Sequence, residues 1–137
     1  MNTYIADTNF YLRFILQDIK DQANITEKYL ELAKSGEINI IFLDEVILEM
    51  EFVLRSFYSI KRADIVQSLN ALIKLNYVDI ENRTLWAETL ETYRKKKLSL
   101  LDILLFYKAK EINSDVLSFD EDFKRLKRYE RQNIRTN

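Results

Sequence analysis

The sequence predicts an α/β chain, a three-layer α/β/α sandwich around a central parallel sheet. Apolar runs of strand length recur along it, and the clearest, Ile38 through Leu43, has the near-continuous character of a strand buried on both faces of a parallel sheet. Between these runs lie one or two segments of helical periodicity, the arrangement that returns each strand to the same sheet through a helical crossover. The 137 residues contain no proline, one glycine, and neither a linker nor a repeat, so residues 1–137 read as one domain with one core.

The elements follow in order. Residues 3–7 form the first strand, and residues 9–16 a helix with Phe10, Phe14 and Leu16 inward. A second helix, 23–34, places Tyr29, Leu30 and Ala33 on its apolar face and stops at Ser35-Gly36, where glycine accepts a left-handed cap. After the strand at 38–43, Asp44 is placed to cap a long helix to Tyr58 with Val46, Met50, Val53, Leu54 and Phe57 at helical spacing. A helix at 63–74, a short strand at 77–80, helices at 85–97 and 101–112, and a short strand at 116–119 complete four strands.

Composition removes whole classes of chemistry. With no histidine and no cysteine, the chain has no Ser-His or Cys-His nucleophile, no thiolate and no zinc site of the usual kind. One glycine excludes a glycine-rich phosphate loop. Any catalysis must use carboxylates, hydroxyls, amines or a bound metal. No apolar run approaches a membrane span and residues 1–16 lack a signal-peptide pattern, which points to a soluble, cytoplasmic protein. The net charge of −1 is unevenly spread. From Lys124 onward, six bases stand against one acid, and Arg94-Lys95-Lys96-Lys97 forms a second basic cluster. The basic segment 124–137 has two open readings, a grip on nucleic-acid phosphates or a solvated terminus.

In parallel α/β folds, ligands collect beyond the carboxyl ends of the strands. Asp7 ends the first strand and Asp120 follows the last; each is also placed to act as a cap or turn residue. Asp102 completes a Ser-x-x-Asp capping pattern with Ser99 at the start of an apolar helix. Glu49 flanks the apolar stripe of its helix, with Glu45 and Glu51 as rivals. Gathered carboxylates suit a hard divalent cation such as magnesium, which offsets their repulsion and supports hydrolysis of a phosphodiester.

Four segments in order resemble the PIN-domain family, and within it the small ribonuclease toxins of the VapC type. They are Tyr4-Ile5-Ala6-Asp7-Thr8-Asn9 with Leu12-Arg13, Glu49-Met50-Glu51-Phe52-Val53-Leu54-Arg55, Leu101-Asp102-Ile103-Leu104-Leu105 on to Ala109, and Leu117-Ser118-Phe119-Asp120-Glu121-Asp122-Phe123. The resemblance implies a PIN-like sandwich with a four- or five-stranded sheet. It also implies Asp7, Glu49, Asp102 and Asp120 as catalytic and metal-binding acids, with Mg2+ or Mn2+ as the ion. It favours Glu49 over Glu51 because the family acid directly precedes the apolar-aromatic-Val-Leu-Arg segment. The expected activity is metal-dependent endonucleolytic cleavage of RNA, and the expected partners are a small, adjacently encoded antitoxin protein and a second copy in a homodimer. Two alternatives share the pattern: a housekeeping PIN nuclease of RNA processing, and a non-catalytic PIN-like domain that binds RNA or a partner. The chain departs from the family at its end, where 124–137 is polar and basic and offers only Ile134 to a closing fifth strand.

Overall fold

A computed structural model describes residues 1–136. The chain divides into two compact units, Met1–Arg83 and the part from Thr84 onward.

The first unit holds β1 (Asn2–Ile5), α1 (Thr8–Leu16), α2 (Lys20–Lys34), β2 (Ile38–Ile41), α3 (Asp44–Ser56), α4 (Arg62–Ile73) and β3 (Val78–Asp79). The strands lie in the order β1-β2-β3, all parallel, with Tyr4 opposite Ile40 and Ile40 opposite Val78. Each return crosses through two helices, as parallel pairing requires. The core gathers around Ile40, Phe42, Ile47, Met50, Leu54 and Leu69, all fully buried. Tyr11 stacks on Phe42 at 3.9 Å between centroids, and its hydroxyl donates to Ile41 O at 3.2 Å, pinning α1 to the end of β2. Burial raises the Tyr11 hydroxyl pKa well above its ordinary value and keeps it a donor. At the end of α2, Gly36 takes φ +81°, and Gly36 N and Glu37 N donate back to Ala33 O and Leu32 O. This is the left-handed closure expected there.

The second unit holds α5 (Arg83–Lys95) from its second residue onward, α6 (Leu100–Glu111) and α7 (Asp122–Thr136). Leu90, Ile103 and Leu126 form its buried centre. A polar chain ties the three helices together. The Thr92 and Tyr107 hydroxyls meet at 2.6 Å, Tyr107 also donates to Glu130 at 3.1 Å, and Lys110 closes on the same carboxylate. Burial holds the Tyr107 pKa far above its usual value, so the hydroxyl stays protonated and able to donate.

The α/β class and the parallel sheet are as the sequence predicts. The strand count is lower: among the described residues the sheet has three strands rather than four or five. Residues 116–119 form no strand. Ser118 Oγ instead accepts from Asp120 N at 2.9 Å, turning the chain toward α7 and leaving Leu117 and Phe119 fully exposed. Through Thr136 the basic segment is helical rather than a fifth strand, because Phe123, Leu126 and Tyr129 recur at helical spacing and bury one face.

Inward faces also shift. In α1, Tyr11 and Leu12 are buried while Phe10, Phe14 and Leu16 are only half-buried. In α3, Ile47 takes the place expected of Val46, and Phe57 stands outside the helix and exposed. Tyr29 is exposed beside the buried Leu30 and Ala33. Asp44 is the first residue of α3, not its cap. No helix among the described residues is long and apolar enough to cross a membrane.

Candidate metal centre

Two helix starts in the second unit bring three carboxylates together. At the first, Ser99 caps α6 by accepting from Asp102 N at 3.1 Å, which places Asp102 in the opening turn. At the second, Asp120 Oδ1 accepts from Asp122 N at 2.9 Å, folding the entry to α7 so that both side chains stand on one side of a tight turn. Ligand oxygens of Asp102, Asp120 and Asp122 all lie within 4.8 Å of one another. Asp102 and Asp122 are half-buried and Asp120 is exposed. Both helices direct their positive ends toward these acids, which lowers the repulsion among them. Arg125 supplies one counter-charge, donating to Asp122 at 3.0 Å.

The donor set fits a hard cation. It consists of carboxylate oxygens alone, the chemistry that takes magnesium, manganese or calcium rather than zinc or copper. Small side-chain rotations bring oxygens at this separation onto one ion, whose bonds run about 2.0–2.6 Å. One arginine against three acids leaves an excess of negative charge that a divalent ion removes.

Asp7 and Glu49 belong to the first unit. Asp7 is exposed just past β1 and caps α1, its Oδ1 accepting from Phe10 N at 3.0 Å. It borders an apolar cleft of about 330 Å³ lined also by Tyr4, Phe10, Ile25 and Tyr29. Glu49 is exposed on α3. Its rival Glu51 is 6% exposed and held by Arg55 at 2.8 Å, an arrangement that stabilises the helix and leaves that carboxylate engaged.

Of the four acids the sequence singles out, the structure therefore joins Asp102 and Asp120, and adds Asp122. The signal for Asp122 lies in the Asp-x-Asp spacing after Ser118. An aspartate that bonds the amide two residues on brings the i and i+2 carboxylates to the same turn.

A parallel α/β sheet accompanied by a cluster of carboxylates alone defines an α/β protein with an acidic site suited to hard cations. Residues 4–129 match the PIN domain family, and the chain belongs to that family. It is 28% identical over 123 residues to the VapC ribonuclease of Aquifex aeolicus (strain VF5), an alignment covering 89% of this chain and 90% of that protein. No solved structure gives a significant match.

Proposed function

We propose that this chain is a metal-dependent endoribonuclease that hydrolyses RNA phosphodiester bonds and serves as the toxin of a toxin–antitoxin pair. The observation that carries the reading is the convergence of Asp102, Asp120 and Asp122 in a chain of the PIN-domain family. The similarity to a VapC ribonuclease over nine-tenths of both chains supports RNA as substrate. The toxin role, a small antitoxin as partner and a homodimer as the working form are proposed from the resemblance to the VapC-type toxins.

Asp102, Asp120 and Asp122 would hold Mg2+ or Mn2+. Such an ion, when bound, supplies Lewis acidity toward a phosphoryl oxygen and lowers the pKa of water, work that no histidine in this sequence can do. The side chains have their own tasks. Ser99 fixes the backbone of the turn that carries Asp102, and Asp120 fixes the turn that carries Asp122, so the carboxylates need little rearrangement to act. Asp7, just past the carboxyl end of β1, and Glu49 are proposed as further catalytic and metal-binding acids on the family pattern.

The test is cleavage of a mixed cellular RNA preparation with magnesium, manganese or EDTA, with Asp102→Asn alongside. Discrete fragments are expected from the wild-type chain with either metal. EDTA abolishes them, and the variant lowers the rate on the order of a hundredfold or more, the scale of losing a charge that steadies a transition state. A folded Asp102→Asn chain that cuts at the wild-type rate rules the reading out.

A further inference from the structure

Two basic runs far apart in sequence meet in the second unit. The chain leaving α5 carries Lys96 and Lys97, and α7 carries Arg125 and Arg128. These four cations line one cleft of about 360 Å³ together with Tyr129 and Gln132, and no carboxylate lines it. Lys96 Nζ lies 4.9 Å from the centroid of the Tyr129 ring, a cation–π contact that fixes one wall to α7. The larger cleft on the other flank of α7, about 530 Å³, differs in kind. Its lysines share the lining with Asp115, Asp120 and Glu130, and Lys127 pairs with Asp115 at 2.7 Å while Lys110 pairs with Glu130. That lining mixes charges of both signs, whereas the charged side chains lining the smaller cleft are all cations, with Arg125 among them also paired to Asp122 of the cluster.

We propose that the Lys96–Lys97–Arg125–Arg128 cleft grips the phosphodiester backbone of RNA beside the carboxylate cluster. The inference deepens the nuclease reading and rests on it. Arg125 joins the two features, lining the cleft while donating to Asp122 of the cluster at 3.0 Å, so phosphates held here lie next to the acids. Arg125 and Arg128 stand three residues apart on the helix, about 4.5 Å along the axis, a spacing on the order of that between successive phosphates of a strand. Cations on two separate elements favour a strand carrying repeated charges over a single small anion.

The experiment measures anisotropy of a labelled, unstructured single-stranded RNA with the full chain in EDTA, where no cleavage occurs, across a range of salt concentrations. Each phosphate neutralised on a single strand contributes roughly 0.7 to the slope of log affinity against log salt. Replacing both Lys97→Gln and Arg128→Gln is expected to make that slope shallower by about 1.4 and to weaken binding at low salt on the order of tenfold. Both side chains are exposed, so the melting temperature should not move. Lys97→Gln alone, expected to change the slope by about half as much, serves if the pair destabilises the fold. A charge-matched control in the first unit, Lys28→Gln with Lys34→Gln, should leave the slope unchanged. An unaltered slope in the cleft variant, or an equal loss in the control, overturns the proposal. Wild-type protein that binds RNA through this cleft but never cuts it upholds the cleft and sinks the nuclease reading instead.

Discussion

Asp7 has a structural role that substitution can separate from the catalytic one proposed for it. Its Oδ1 accepts from Phe10 N and caps α1, a contribution of about 1 kcal/mol that asparagine supplies almost equally well. Asp7→Ala should therefore lower the melting temperature by a few degrees, while Asp7→Asn leaves it in place. If Asp7 is also catalytic, both variants lose RNA cleavage. An Asp7→Asn chain that melts and cleaves like wild type confines Asp7 to capping. Glu49 and Glu51 differ in the same respect. The buried Glu51 is tied to Arg55, whereas Glu49 is exposed.

At the scale of elements, α7 has two working faces. Phe123, Leu126 and Tyr129 bury one, and Lys124, Lys127, Arg128 and Arg131 occupy the other at positions about one turn apart. Leu126 is 0% exposed, so Leu126→Ala should cost about 2–4 kcal/mol through lost burial and the cavity left behind. Thermal unfolding would register this as a clear drop, whereas Lys124→Gln on the exposed face should stay within about 0.5 kcal/mol of wild type. A neutral Leu126→Ala would mean that α7 is held by its polar contacts, chiefly Glu130 with Tyr107 and Lys110. The same helix explains why residues 124–137 carry so many bases. One face of an amphipathic helix needs three or four apolar positions, and the rest is free to be charged.

For the molecule as a whole, ligand binding and stability are linked. An ion held by the folded chain and not by the unfolded one stabilises it by about 2.7 kcal/mol at a hundred times its dissociation constant. Magnesium or manganese should thus raise the melting temperature of wild-type protein, and EDTA should reverse the rise. Asp102→Asn combined with Asp120→Asn should abolish the response and leave the metal-free protein at least as stable as wild type, because fewer like charges crowd the cluster. An undiminished metal response in that double variant would place the bound ion elsewhere.

The α/β class, the parallel sheet and the family were legible in the sequence because each rests on local or ordered signals. These are the apolar run at 38–43, the helical periodicities, the glycine closing α2, and four motifs in series. The cap at Ser99 was legible for the same reason, since a capping bond reaches only three residues along the chain. Strand formation at 116–119 was not decided there, because a strand exists only when a neighbour's backbone accepts it. Here a Ser118 side chain and the turn at Asp120 take the chain into a helix instead. The Asp-x-Asp spacing carried a local signal for Asp122, but its meeting with Asp102 and the basic cleft were beyond the sequence for a related reason. Its residues show which charges are present, but the meeting of α6 with α7, and of residues 96–97 with α7, depends on how helices pack, and only the folded chain sets those distances.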